Sequence, residues 1–267
     1  QTLLRTLATS VSTLLAIALL VGGLMVLVLD LGHPDRLIVA MTHYNFKSIF
    51  AWNIILYNGF IAFVILYAWT MIDRKMARFY KFAGFLAFGW RLILTMGTGS
   101  IFGFIVAREA YDAAILGPLF VLMSFSIGLA VFLLIMSAAF KWTGRELGES
   151  ILTRLRYLLA VFIGSVLLGE TVRHLTNLYA AEHQAVEQFL LIGSNIYSRL
   201  FWEGQILLGS FLPLALLLWP KWSDKRWSLL SAAGLVILGG LCQLYVILVG
   251  GQAFPLVLFP NAVVESS

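Results

Sequence analysis

Long apolar blocks broken by short polar stretches run the length of the chain, and their lengths predict helices that cross a membrane. About seven such blocks can be placed, at 6–31, 49–72, 82–107, 113–140, 153–180, 196–219 and 228–251. Each exceeds the roughly 18 residues that mark a span of about 30 Å of hydrocarbon. In lipid the backbone N–H and C=O groups find no water, so segments of this length are expected to be helices, which satisfy those groups internally. The run Ala253 to Pro260 is also apolar but too short to cross, and Pro255 and Pro260 suit it to an interfacial connector. The expected fold class is an all-α integral membrane protein, with residues 1–267 as a single transmembrane domain. The chain opens on Gln1 and enters an apolar block almost at once, with no basic region and cleavage site of a signal peptide. It therefore reads as a segment of a longer chain.

Composition supports the same class. Hydrophobic residues make up 61% of the chain and charged residues 12%, against about a quarter charged in soluble domains. A single soluble core could not hide that much apolar surface. The formal charge of +5 is informative through its placement. On the side of the N-terminus lie Arg5; Arg74, Lys75, Arg78 and Lys81; Lys141, Arg145, Arg154 and Arg156; and Lys221, Lys225 and Arg226. The opposite loops hold Arg36, Lys47, Arg108 and Arg199, so the count is twelve against four. Basic residues collect on the cytoplasmic side, which predicts a cytoplasmic N-terminus for this segment.

Polar residues inside spans are expensive, at roughly 2.5–3.5 kcal/mol for a charge at the centre on insertion scales, and each is a functional hypothesis. The sharpest group is Glu170, Arg173, His174 and Asn177, whose spacing puts them on one face of the span at 153–180, in its outer half. Such a group can exchange a proton with a ligand and stabilise the charge that results. It can equally be an ion-pair ladder that pins the helix to its neighbours. The span at 196–219 adds Arg199, Trp202, Glu203 and Gln205, with Arg199 and Glu203 spaced for an i,i+4 contact. Asn53 and Asn58 on the second span would either join helices or orient a polar head group. Arg91, with Thr95 a turn further on, either snorkels to the inner interface or forms a station in a proton or ion path. For Gln243 and Tyr245 packing is the favoured role.

Several chemistries are set aside. Cys242 is the lone cysteine, and a cluster held by this chain would need about four ligands. Of four histidines only His174 lies clearly within a span, which argues against a bis-histidine haem. No metal site is expected. A retinal-type Schiff base needs a lysine inside a span, and none is there. The glycines around Thr98 lack the strand-then-helix setting of a phosphate loop.

The stretch from Leu29 through Gly32-His33-Pro34-Asp35-Arg36 to Leu37, followed by Ser48-Ile49-Phe50-Ala51-Trp52-Asn53, resembles the NrfD/PsrC family. Gly97-Thr98-Gly99-Ser100-Ile101-Phe102-Gly103, Glu170, and Phe201-Trp202-Glu203-Gly204-Gln205 extend the resemblance over nearly the whole chain. The phrase Met41-Thr42-His43-Tyr44-Asn45-Phe46-Lys47 is similar to the DsrP subfamily. Members are membrane subunits of complex iron–sulfur oxidoreductases, with about eight to ten helices around a double four-helix bundle. The resemblance implies a menaquinone or ubiquinone as bound substrate near the outer face, and no haem or iron–sulfur cluster in this chain. It also implies an extracytoplasmic iron–sulfur, ferredoxin-like partner, with further catalytic or cytochrome subunits, in a respiratory complex of the cell membrane such as one of sulfur metabolism. Two departures bear on a transfer of the quinone site: the family's first helix would be expected ahead of Gln1, outside these residues, and many relatives have histidine near Thr95.

The function expected is therefore exchange of electrons between the quinone pool and that partner. Glu170 and His174 would take the proton, and Asn53, Asn58, Arg173 and Glu203 would hold the quinone. Arg91 and Thr95 would line a proton path, and His33, Asp35, Arg36, His43 and Lys47 would dock the partner, framed by Glu182, His183 and Glu187 in a later outer loop. The rival is a transporter-like subunit that moves ions or protons without quinone chemistry.

Overall fold

The computed structural model describes residues 46, 49–73, 75–144, 148–223 and 225–255, and, within the first predicted span, residues 18, 21–23 and 25, which are helical. Among the described residues there is no strand. The elements are α1 (Ile49–Ile72), α2 (Tyr80–Gly103), α3 (Leu116–Trp142), α4 (Glu149–Tyr179), the short α5 (Gln184–Glu187), α6 (Ile196–Leu218) and α7 (Arg226–Ala253). Six of these are long and apolar enough to cross a membrane. The chain is a multi-pass integral membrane protein.

The described chain falls into two compact units, Gln1–Ile101 and Phe102–Ser267. In the first, Phe60, Val64 and Leu94 form a small core with Leu56, Tyr57, Ile61 and Trp90. Trp90 bridges α1 and α2, its Nε1 donating to the Leu56 carbonyl at 2.8 Å. The indole fits because residue 59 is glycine; any side chain there would collide with the ring.

The second unit is a four-helix bundle in which α3, α4, α6 and α7 pack in a ring, each against two neighbours. Its outer face is apolar, and its interior combines an apolar core with a few inward-turned polar groups. On α4 the residues at helical spacing Leu159, Ile163, Val166, Glu170, Arg173 and Asn177 are buried, while Val161, Leu168, Val172 and Leu175 are exposed. An apolar outer face is what a lipid-facing helix requires, since there the expensive groups must turn inward. Phe125 and Phe162 stack at 5.2 Å between α3 and α4. At the end where α4 and α7 begin, Arg226 and Glu149 pair at 3.0 Å. The Ser228 hydroxyl donates to the Leu216 carbonyl at 2.6 Å, closing the turn from α6 to α7.

Two departures from the expected elements matter for the site. One concerns α6, which is α-helical at Ile196–Arg199 and Leu212–Leu218 but π-helical over Leu200–Phe211. The other is that α2 stops at Gly103, not near 107, and α3 starts at Leu116, not 113. The segment between them turns back so tightly that a side chain at Gly103 would lie 2.7 Å from the Ala113 carbonyl oxygen. It is pinned to the end of α7: the Tyr111 hydroxyl donates to the Leu248 carbonyl, and Arg108 Nη1 to the Gln252 carbonyl at 2.9 Å. Burial pushes the Tyr111 hydroxyl above its usual pKa, against the lowering effect of Arg108 and of a hydrogen bond with Gln252. Its proton therefore stays available for that bond at neutral pH.

The backbones of α6 and α7 touch at Gly209 and Gly239, where a side chain on Gly209 would meet the Gly239 Cα at 2.6 Å. Such contact exists only between residues without side chains. Gly239→Leu is expected to destabilise the bundle by about 3 kcal/mol or more, the upper end of overpacking costs. Thermal unfolding of the purified protein reads this directly; Gly234→Leu, where nothing lies within 4 Å, is the control and should melt near wild type.

Candidate functional site

The polar face of α4 faces the bundle interior near the end where α4 and α7 finish. Glu170 Oε2 accepts from Arg173 Nε at 2.9 Å, and its Oε1 accepts from Gln243 Nε2 of α7 at 2.6 Å. Glu187, from α5, closes the group from the other side. Its Oε1 accepts from Asn177 Nδ2 at 2.9 Å, and its Oε2 lies 2.6 Å from His174 Nδ1. The other ring nitrogen, His174 Nε2, lies 3.1 Å from Arg173 Nη2 and 3.4 Å from Glu170 Oε2. The edge of the His174 ring meets Phe201 of α6, with centroids 4.9 Å apart.

All these groups are withdrawn from solvent, with Glu170 at 2% exposure and Glu187 at 0%. Buried charges are tolerable only when paired and hydrogen-bonded, and here every oxygen of the two carboxylates has a partner. The charge count has a consequence. With His174 neutral, two carboxylates face the single charge of Arg173; with His174 protonated, the group is electrically balanced. The network can thus take one proton without creating a net buried charge. As neutral imidazole accepting from Arg173 at Nε2, His174 would donate from Nδ1 to Glu187; as imidazolium, Nε2–H would turn toward Glu170. The two carboxylates meet opposite ring nitrogens, so they do not converge on one point, and among the described residues no cluster of three His, Cys, Asp or Glu is disposed to hold a metal.

The candidates proposed from the sequence divide sharply. Glu170, Arg173 and His174 are brought together, with Asn177 beside them. Glu203 and Arg199 are both exposed on α6, and the i,i+4 contact between them does not form among the described residues. In the first unit Asn58 is exposed and bonds its own helix at the Ile54 carbonyl, whereas Asn53 is buried and its Oδ1 has no hydrogen-bond partner. Arg91 lies with its guanidinium over the Phe60 ring at 5.3 Å, and the Thr95 hydroxyl donates to the Arg91 carbonyl at 2.9 Å. His33, Asp35, Arg36, His43 and Lys47 lie outside the described residues.

Two residues enter the site against expectation. Glu187, expected as an outer-loop charge, is the most deeply buried member, because α5 and the π-helical turn after it (Gln188–Ile192) fold back and pack Val186 and Leu190 into a core with Ala110, Phe201 and Val246. The apolar residues at 186 and 190 flank it at helical spacing, a sign that this face turns inward. Gln243, expected to serve packing, donates to Glu170; a lone amide on an apolar helix gives no hint of its partner. Of the framing residues, Glu182 is exposed, and His183 Nδ1 donates to the Glu109 carbonyl at 2.8 Å.

Residues 4–256 match the family model described as "Polysulphide reductase, NrfD". The chain belongs to the NrfD family. Among its relatives is the Hdr-like menaquinol oxidoreductase integral membrane subunit of Archaeoglobus fulgidus, 28% identical over 96% of this chain and 65% of that protein. A selenate reductase subunit of Mesobacillus selenatarsenatis is 27% identical over 88% of this chain and 63% of its own length. Protein NrfD of Escherichia coli is 25% identical over 90% and 83%. The chain thus spans a little under two thirds of the first two of these relatives.

Proposed function

We propose that this chain is the quinone-reactive membrane subunit of an oxidoreductase complex. On this reading it exchanges electrons between the membrane quinone pool and an iron–sulfur partner subunit on the extracytoplasmic side. Family membership supports a role within such complexes, and the Archaeoglobus relative bears the name of a menaquinol oxidoreductase subunit. The observation that carries the reading is the buried network around Glu170, with its room for one more proton. When a quinol is oxidised its electron pair leaves for the partner's clusters and its two hydroxyl protons must go elsewhere. His174 is the member of the network with the most exposed side chain, at 9%, and its Nε2 is the natural first acceptor. Glu170 and Glu187 stabilise the imidazolium, and the second proton leaves to the aqueous side. In the reverse direction the same groups supply a proton to the reduced quinone.

A purified, assembled complex should carry tightly bound quinone and oxidise or reduce added quinol in a manner blocked by a quinone-site inhibitor. A complex that turns over with an artificial donor but neither retains quinone nor responds to quinol would contradict the reading. The proposed membrane is the cell membrane, with the start of this segment cytoplasmic, on the basic-residue bias. Cysteines introduced as Lys75→Cys and Asp35→Cys should then react oppositely with an impermeant thiol reagent in intact cells. Labelling of the Lys75 variant from outside would reverse the orientation.

A further inference from the structure

Below the Glu170 network, in the middle of the second unit, the four helices leave a small, partly enclosed space with about 20 Å³ open to the centres of water molecules. Val166, about one helical turn from Glu170, marks its upper wall. Most of the lining is apolar or glycine, but Ser126, Gln205, Ser210 and Gln243 also face it. Gln205 is 3% exposed, and its Oε1 has no hydrogen-bond partner. The Ser210 hydroxyl donates to the Gln205 carbonyl at 3.1 Å, so it keeps lone pairs to accept with. Gln243 commits its Nε2 to Glu170.

We propose that this space is a binding site for ordered water, holding one or two molecules. A water needs roughly 10–15 Å³ by this measure and two to four polar partners, and both conditions are met. Donation to Gln205 Oε1 satisfies the one acceptor left over, and Ser126, Ser210 and the Gln243 side chain complete the shell. The ligand is neutral. No ionisable side chain lines the space, and Glu170, the nearest charge named by the network, is already paired with Arg173 and reaches it only through Gln243. A cation would lack a counter-charge, and the volume is too small for a quinone ring. The water extends the hydrogen-bonded chain from Glu187 through Glu170 and Gln243 to the centre of the bundle. This site stands on the cavity and its lining, whether or not the protein handles quinone.

Met123 lines the space and Met136 does not, yet both lie on α3 and both are buried. That pair makes the site testable by pulsed X-ray hydroxyl-radical footprinting of the whole protein in membrane-like particles, where bound water generates radicals beside its neighbours. Met123 is expected to oxidise several-fold faster than Met136, and Gln205→Leu should bring it down to the Met136 rate. If Gln205→Leu does not fold, Ser126→Ala serves the same purpose. Equal, slow oxidation of Met123 and Met136 in the wild type would mean a dry cavity and overturn the proposal. So would fast oxidation of Met123 that persists unchanged in a folded Gln205→Leu variant.

Discussion

Glu170→Gln is expected to slow quinol-linked turnover by about 10²-fold or more, the usual scale for losing a proton-transfer group. The amide keeps the shape of the carboxylate and can still accept from Arg173 or Gln243, but it cannot balance the charge of Arg173. A protonated His174 would then face one carboxylate and one guanidinium, so proton uptake would build net positive charge in a buried site. Activity with an artificial donor that feeds the partner's clusters directly should survive, because those electrons bypass the network. An unpaired buried guanidinium also destabilises, by about 3–5 kcal/mol when one partner of such a pair is removed. Glu170→Gln combined with Arg173→Met removes the uncompensated guanidinium, so the unfolding temperature should recover. Near-wild-type turnover in an assembled Glu170→Gln complex would make Glu170 structural.

A loss of stability on the same scale is expected at Glu187. Glu187→Leu takes both the carboxylate that faces His174 Nδ1 and the acceptor of Asn177 Nδ2, and should cost about 3–5 kcal/mol. Glu187→Gln can keep the bond from Asn177 and should cost less. Glu182→Gln, on the same connection but exposed, should stay within about 0.5 kcal/mol of wild type. Thermal unfolding of the three purified variants in one detergent gives the order. Equal melting of the Glu187→Leu and Glu182→Gln proteins would show that Glu187 is not buried in the native bundle.

Helices are legible where hydropathy alone decides. The predicted span at 196–219 differs from α6 by one residue, and that at 49–72 coincides with α1. Near 104–115 the pattern fails, because Ile105 and Val106 continue an apolar run while the backbone has already turned to meet the end of α7. The π-helical stretch of α6 leaves no trace in the sequence either, since its side chains suit an α-helix equally well. On α4 the site is legible, because Glu170, Arg173, His174 and Asn177 repeat at helical spacing in an otherwise apolar span. Its other half is not: Gln243 lies 73 residues from Glu170 along the chain, and its amide becomes meaningful only once the bundle sets α7 across from α4. Glu187 escapes the pattern because a charge between two spans is ordinarily solvated, whereas here the connection itself folds into the bundle.

That a quinone reacts beside His174 is the central claim, and photoaffinity labelling of the assembled complex with an azido-quinone tests it most directly. Labelled peptides should come from this chain, from the end of α4, from α5 and from the start of α6 around Phe201, and excess natural quinone should suppress them. Label confined to partner subunits, or spread over this chain and insensitive to competing quinone, would contradict it.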